Sequence, residues 1–482
     1  MPLITITQGV TRHPDYRLAA PVNFSLHRGE HLAICGPNGA GKSLLTDMLT
    51  GARPLLALGM HYDFGEGVVP RPSVHIGAVT FRHVYGSSEP AYYQQRWNRA
   101  DEQEFPTVAE VLAAARQRAE RDGAPAAPPQ LWQALGIEEH LEQRVNLLSS
   151  GERRRLQLAQ MLVRMPQVLV VDNPYIGLDA EARGMLTEVL QRLAELTTLV
   201  LVVSRAADVP PFIDTVVPVS EGRVGEKMPA AAWREAEAAM LRHLPALPPL
   251  PAAAVATPVC SDVIDFRHVT IRYGTRTILH DLTWCVRRGE HWALTGENGA
   301  GKSTLLSLVC ADSPQASARA IRLLGPQRGR GESIWDIKKH IGYVSPEMAA
   351  TYRKSLPAVD IVASGLHDTV GLYRRVTESE RALSEQWLAT FGAAHLARRD
   401  FMRLSSGEQR LVLLVRAFVK SPSLLILDEP FHGLDEAVRR RARALIDAYM
   451  AHPSRTLIMV THYADELPAC IDHHLTLHKV KA

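Results

Sequence analysis

The sequence is short of the features that mark specialised classes of protein. It has no apolar run approaching 18 residues, so nothing in it reads as a bilayer-spanning helix. Its opening, MPLITITQGV, lacks a basic segment followed by an apolar core, so no secretory signal is read there. Cysteine is sparse. The five residues Cys35, Cys260, Cys285, Cys310 and Cys470 are odd in number, scattered, and never in a C-x-x-C pair. That pattern argues against a disulfide framework or a zinc site and for thiols in a reducing, cytoplasmic setting. Neither sign of charge dominates: the net charge is +3, which argues neither for nor against nucleic acid as a partner.

What is present is ordinary in composition and unusual in order. Hydrophobic residues make up 46% and charged residues 22%, typical of a folded globular protein, and 482 residues exceed what one hydrophobic core organises. Residues 404–430 read LSSGEQRLVLLVRAFVKSPSLLILDEP: a Ser/Gly turn, a helix of about four turns, a break, and an apolar run ending in two carboxylates. An uninterrupted apolar run is the mark of a strand covered on both faces of a parallel sheet. Asp428 and Glu429 would then emerge at its carboxyl end, where α/β proteins place their chemistry. Nearly the same stretch occurs at residues 148–174, LSSGERRRLQLAQMLVRMPQVLVVDNP, with Asp172 repeated and Asn173 where Glu429 stands.

A second motif is also duplicated. GPNGAGKS comprises Gly36, Pro37, Asn38, Gly39, Ala40, Gly41, Lys42 and Ser43. GENGAGKS comprises Gly296, Glu297, Asn298, Gly299, Ala300, Gly301, Lys302 and Ser303, with Thr304 following. Each comes after an Arg-Gly-Glu turn and an apolar strand and leads into a helical pattern. The glycines let the backbone wrap round phosphates with its N–H groups inward; the lysine reaches the β/γ-phosphates, and the serine hydroxyl suits Mg²⁺. Chance does not produce two such loops, each followed by LSSGE and then by a strand ending in Asp. Gly36 maps to Gly296, Gly151 to Gly407 and Asp172 to Asp428, an internal repeat of about 260 residues. Between the copies, residues 229–244 predict a short Ala-rich helix with Pro at its start. Residues 245–258, PALPPLPAAAVATP, hold too many prolines for regular helix or central strand and read as a semi-rigid tether. Domains are therefore expected at 1–225 and 261–482, with a linker over 226–260. Residues 107–121 and 377–391 predict helices, the second with Thr377 and Glu380 as a capping box.

These motifs together resemble two ATP-binding cassettes of the ABC ATPase superfamily in one chain. The resemblance covers almost everything except the tether. GRGESIWDIKKHIGYVS, residues 329–345, further resembles tandem cassettes of the ModF type, associated with molybdate transport. What the resemblance implies is an α/β fold: two tandem nucleotide-binding domains, each a P-loop, RecA-like core with an antiparallel β subdomain and a helical subdomain. It also implies ATP as substrate, Mg²⁺ as cofactor, and nucleotides lying between one half's phosphate loop and the other's signature. One site would join Lys302, Ser303, Asp428, Glu429 and His462 to Ser149, Ser150 and Gly151. There Ser303 and Asp428 hold the metal, Glu429 orients or deprotonates the attacking water, and His462 contacts the γ-phosphate and steadies Glu429. The other would join Lys42, Ser43, Asp172, Asn173 and Arg205 to Ser405, Ser406 and Gly407, with Ser43 and Asp172 on the metal. Asn173 has no basic oxygen, and Arg205 stands where the resemblance expects histidine. The first half is therefore expected to bind ATP and turn it over slowly or not at all.

Other positions depart from the resemblance. The glutamine that often follows the next core strand, sensing nucleotide and touching a membrane partner, is replaced by Pro346 in one half and Phe81 in the other; Gln94 or Gln95 would be substitutes. Tyr273 is the expected adenine stacker of the second half, a β-region tyrosine otherwise read as core. The first half offers His13, with Tyr16 nearby. His473, His474 and His478 invite a metal reading, but on a strand His473 faces away from the other two, so surface or packing roles are expected. The basic runs at 153–155 and 439–443 read as solvated helix faces or helix contacts, with no direct nucleic-acid signal. No residues mark an oxyanion pocket, so molybdate enters only through the resemblance. The expectation is a cytoplasmic tandem ATPase, or one peripheral on the inner face of a membrane, with a permease or molybdate-related partner. The alternatives are the motor of an importer with a separate permease and a ribosome-associated translation factor, whose longer charged linker the proline tether does not match.

Overall fold

The computed structural model describes all residues except 1, 57–58, 82–104, 124–130, 133–134, 146–147, 149, 179, 244, 252–260, 274–275, 298, 313–320, 326–332, 347, 353–354, 370–373 and 481–482, and except the side chains of 150, 180, 273, 276, 349 and 350. The chain forms two units, Met1–His243 and Leu244–Ala482.

In the first unit β1 (Pro2–Gly9) pairs with β2 (Val22–His27), whose side chains alternate between buried and more exposed, as a sheet covered on one face requires. β3 (Leu32–Cys35) is buried at all its residues and starts a different sheet. β4 (Met60–Tyr62) returns to β1, so the small sheet is antiparallel in the order β2-β1-β4. The larger sheet gathers β5 (Ile76–Thr80), β6 (Val168–Asp172), β7 (Thr198–Val203), β8 (Thr215–Ser220) and the short β9 (Arg223–Val224) and β10 (Met228–Pro229). Its order is β10-β8-β3-β7-β6-β5, with β9 on β8. From β8 to β5 every pairing is parallel, and β6 and β7 are buried at every residue, as their apolar runs foretell. The carboxyl ends of β3, β7 and β6 thus lie side by side on one edge.

Helices α1 (Lys42–Leu49), α2 (Val108–Arg121), α3 (Ser150–Leu162) and α4 (Ala180–Ala194) complete this core. α2 occupies the predicted span and opens on a Thr107–Glu110 capping box, which satisfies two backbone donors at its start. α5 (Ala230–Arg242) is the Ala-rich helix, preceded by Pro229. Although it falls within the stretch expected as linker, its Trp233 packs against the first unit's core, so that unit runs on to His243.

The second unit repeats the plan. β11 (Asp262–Tyr273) and β12 (Arg276–Arg287) form a long hairpin. β13 (His291–Gly296) precedes β14 (Ile321–Leu323), which completes the antiparallel order β12-β11-β14. β15 (Ile341–Val344), β16 (Leu424–Asp428), β17 (Thr456–Val460) and β18 (His473–Leu477) join β13 in a fully parallel sheet, β15-β16-β17-β13-β18. β17 again separates the phosphate-loop strand from the strand that carries the aspartate.

Helices α6 (Lys302–Val309), α7 (Ala358–Ala363), α8 (Glu378–Thr390), α9 (Ser406–Phe418) and α10 (Glu436–Met450) follow the same order. The predicted Thr377–Glu380 capping box opens α8. Trp387 of α8, 1% exposed, packs on Phe418 of α9 and Tyr449 of α10, with ring centroids 5.7 and 6.1 Å away. Each such aromatic pair adds about 1 kcal/mol beyond its buried area, so the orientation of α9 is set by rigid packing. In each unit one buried cluster lies on the helical side of the parallel sheet and a second joins it to the antiparallel sheet.

Candidate functional site

Both glycine-rich loops lie where a parallel strand hands over to a helix. In the second unit the loop leaves β13 and enters α6 through Gly301, at φ 98°. A Cβ on Gly296 (φ 140°) would stand 2.3 Å from the Leu477 carbonyl oxygen of β18, and in the first unit one on Gly36 (φ 155°) would stand 1.9 Å from that of Val219. Only glycine permits these approaches. Lys42 donates to the carbonyls of Gly36 and Pro37 at 2.7 and 2.8 Å, and Lys302 to those of Gly296 and Glu297 at 2.5 and 3.1 Å. Each ammonium is thus held across the mouth of its own loop. Ser43 and Ser303 occupy the second position of α1 and α6, with Thr304 buried behind Ser303. Asn298 lies outside the described residues.

The aspartates end β6 and β16, each 7% exposed. The next residue turns into the left-handed region in both halves, Asn173 at φ 54° and Glu429 at φ 46°. Its N–H meets the neighbouring strand in both, Asn173 to Val202 and Glu429 to Val460, each at 2.9 Å. The backbone is therefore the same, and the side chains differ. Asn173 turns its amide onto its neighbour, Nδ2 donating to Asp172 Oδ1 at 2.8 Å. Glu429 is gripped from two sides: His462 Nε2 is 3.1 Å from Oε1, and His432 Nδ1 is 3.1 Å from Oε2. Burial works to raise the Glu429 carboxyl, but hydrogen bonds and charge from His432 and His462 outweigh it and hold the group well below the usual carboxylate range. So held, it is placed to accept a hydrogen bond from a water molecule.

His432 was not among the residues the sequence singled out. Its signal there was only its place in DEPFHGLD, three residues beyond the glutamate. Ile176 stands at the corresponding place in the first unit, in the same turn: Ile176 N–H donates to Asn173 O at 3.4 Å, and His432 N–H to Glu429 O at 3.2 Å.

Arg205 takes the position of His462 but serves a local structure. Its guanidinium binds Asp208 twice, Nε to Oδ2 at 3.0 Å and Nη2 to Oδ1 at 2.9 Å, and Arg183 adds a contact to Oδ1 at 2.5 Å. Burial pushes the Asp208 carboxyl up, yet the two guanidiniums bring it below its ordinary value. Glu237 of α5 accepts the Ala206 N–H on both carboxylate oxygens, at 3.0 and 3.2 Å, so the helix after β10 caps the Arg205 loop. Much of the Arg205 charge is therefore matched within its own loop.

Ser405 caps α9, its hydroxyl accepting the Glu408 N–H at 3.3 Å while Glu408 accepts the Ser405 N–H at 2.7 Å. Ser406 and Gly407 follow in the first turn of the helix, where unsatisfied N–H groups and the helix dipole favour an anion. In the first unit Ser149 and the side chain of Ser150 lie outside the described residues, and Gly151 stands in the first turn of α3.

Tyr273 closes β11, and its side chain is also outside them. His13 Nδ1 accepts the Asp15 N–H, and the Tyr16 ring carries the Arg53 guanidinium 3.6 Å from its centre. Phe81 is buried, with its N–H on Asp172 O, and Pro346 follows Ser345, whose carbonyl accepts from Arg410 of α9 at 2.6 Å. Gln94 and Gln95 are outside the described residues.

His473 stacks on Trp292 and contacts Asp472. Among the described residues no group of three or more His, Cys, Asp or Glu is placed to hold a metal, and no helix is long and apolar enough to cross a membrane. The arginines of α10 are engaged: Arg439 with Glu436, Asp465 and Glu466, Arg440 with Glu436, Arg441 with the Thr390 carbonyl and Arg443 with that of Asp465.

Residues 19–176 and 279–432 each match the family described as ABC transporter, together more than half of the chain. The chain is 36% identical to the ABC transporter ATP-binding protein ModF of Escherichia coli, over 98% of this chain and 96% of that protein. It is 31% identical to an uncharacterized ABC transporter ATP-binding protein of Schizosaccharomyces pombe, over 94% and 93% of the two. Among solved structures, the archaeal ABCE1 in a ribosome-bound assembly with Pelota shares the fold, with a TM-score of 0.59 at 17% identity over 97% of this chain and 76% of that one. With two phosphate loops, two strands ending in Asp and two LSSGE turns, the chain belongs to the ABC transporter family as a tandem ATP-binding ATPase.

Proposed function

We propose that the chain binds two ATP molecules, each between the phosphate loop of one half and the signature turn of the other, and hydrolyses mainly the one on the second half's loop. The observation that carries this is the side chain after the strand-end aspartate: Glu429 is ionised and held by two imidazoles, whereas Asn173 is bonded to Asp172. A carboxylate so placed can accept a hydrogen bond from the attacking water and receive its proton as the bond to phosphorus forms. An amide oxygen can accept the hydrogen bond but not the proton. Lys302 and the loop N–H groups would hold the transferred phosphoryl group, and Ser150 and Gly151 would close on its far side from the opposite half.

Mg²⁺ fits the same places. Ser303 with Asp428, and Ser43 with Asp172, are hard oxygen donors of the kind that bind this ion alongside phosphate oxygens. When bound, the ion neutralises phosphate charge.

Binding and hydrolysis would close and reopen the two halves and so drive a partner. Likeness to ModF over nearly the whole chain supports a role in handling molybdate or a related oxyanion, with the chain working in the cytoplasm or against a membrane permease. The test of the site is ATP turnover by the full chain. Glu429→Gln should lower turnover by about a hundredfold or more with ATP still bound, and Asn173→Gln should leave it unchanged; equal effects would sink the asymmetry. Purifying the trapped Glu429→Gln protein from its own cells tests the partner. Co-purification of a permease supports the importer reading, and sedimentation with ribosomes the translation-factor reading.

A further inference from the structure

Glu429 and His462 do not account for everything that touches the carboxylate. His432, at 16% side-chain exposure, faces Oε2 with Nδ1 at 3.1 Å. With its proton on Nδ1, the imidazole donates to Oε2 across that distance. Contact with His462 alone would pin one oxygen and leave the other free to swing, because the terminal torsion of a glutamate is broad and roughly two-fold. A second donor on the other oxygen fixes the plane of the carboxylate. Each oxygen keeps a further lone pair, so the grip does not use up the capacity to accept from water.

The first unit supplies an internal comparison. Its turn has the same backbone hydrogen bonds, yet the three members of the grip are all different: Asn173 for Glu429, Ile176 for His432 and Arg205 for His462. A histidine kept only to fill the turn would have no reason to be tied to the other two. Ile176 fills the same turn without any polar contact to Asn173 among the hydrogen bonds described.

We infer that His432 is a positioning residue for hydrolysis: with His462 it forms a two-sided clamp that holds the Glu429 carboxylate in the plane from which it addresses the attacking water. The inference rests on the reading that Glu429 serves hydrolysis on the second half's loop. Placement matters at this scale because a displacement of about 1 Å lowers a rate by about a hundredfold.

The experiment is steady-state hydrolysis of MgATP by the full chain carrying His432→Leu or His432→Asn, each alone and with Glu429→Gln. His432→Leu should lower kcat about tenfold or more while KM for ATP stays within about twofold, because the lost contact acts on the chemical step. His432→Asn, whose amide N–H reaches from nearly the place of Nδ1, should recover kcat to within about threefold of the unaltered chain. Added to Glu429→Gln, His432→Leu should change nothing further, since a clamp without its carboxylate has nothing to hold. A His432→Leu protein as active as the unaltered chain overturns the inference. So does an Asn variant no better than Leu, or a loss that multiplies with that of Glu429→Gln. If His432→Leu does not fold, shown by a collapsed Tm, His432→Ser against His432→Asn makes the same comparison. A fully active Glu429→Gln protein removes the reading of the second half and the clamp with it. An inactive Glu429→Gln beside an active His432→Leu removes only the clamp.

Discussion

After Asp172 the chain turns left-handed at Asn173 and hydrogen-bonds back to Val202; after Asp428 it turns left-handed at Glu429 and hydrogen-bonds back to Val460. One backbone carries two chemistries. In the first half every polar group near the turn is matched locally, Asn173 with Asp172 and Arg205 with Asp208. In the second half the polar groups converge on one carboxylate. Duplication preserved the scaffold because the scaffold is fixed by buried strands and close glycine contacts, which tolerate little change. The reacting groups sit on top of that scaffold and were free to diverge.

The broadest way to break the comparison is to remove each loop lysine. Lys302→Ala should lower ATP turnover by about a hundredfold or more, the scale of losing one donor to developing phosphate charge, while Lys42→Ala should lower it by less than about tenfold and instead remove one of the two nucleotides bound. Turnover and equilibrium binding stoichiometry check both, and equal losses would mean that both halves hydrolyse. Next in size is the residue after the following strand. His462→Ala should lower kcat by about ten- to a hundredfold, and Arg205→Ala by less than about twofold, since that guanidinium is committed to Asp208. The signature of Arg205→Ala should be a Tm lower by a few degrees.

The reverse exchange is a finer test. Asn173→Glu alone should add nothing measurable, because neither imidazole is there to hold the new carboxylate. Asn173→Glu with Ile176→His and Arg205→His should raise turnover by up to about twofold, the limit if a second site became equal to the first. A gain from Asn173→Glu alone would show that the carboxylate needs no clamp.

The smallest effect concerns pH. Asp208 has a folded-state pKa below its ordinary 3.8, so its stabilisation of the first unit is present above about pH 4 and fades as pH falls through and below that value. Thermal melts between about pH 5 and 3 should show the first unit losing more stability in the unaltered chain than in Asp208→Asn, by a few degrees at most.

Much of this could be read without coordinates. The glycine loops, the buried strands ending in Asp, the Thr377 cap and the departures at Asn173 and Arg205 are all local patterns, visible in a few consecutive residues. What was hidden depends on how the chain returns on itself. His432 reads as one more histidine in a turn; only the left-handed residue at 429, which brings position 432 back over the carboxylate, gives it a partner. The Arg205–Asp208 pair had a signal in its three-residue spacing, but that spacing is common and meant little until burial made it matter. Where the first unit ends is hidden for a related reason. Prolines mark where regular structure stops, but what assigns α5 to the first unit is Trp233 in the core and Glu237 on the Ala206 N–H, long-range contacts that composition does not carry.

The left-handed turn at Glu429 has one more implication, for how this protein would evolve under different pressures. A glutamate in that backbone region is strained by about 1 to 2 kcal/mol, whereas asparagine adopts it more readily. The second half therefore holds its key carboxylate against a steady pull toward the residue already present in the first. In a population selected only for thermal endurance, with ATP turnover irrelevant, position 429 should be among the first of the site to change, to glycine or, among residues with a longer side chain, to asparagine. The first half shows that endpoint in place: the same left-handed turn, held by a residue that tolerates it better.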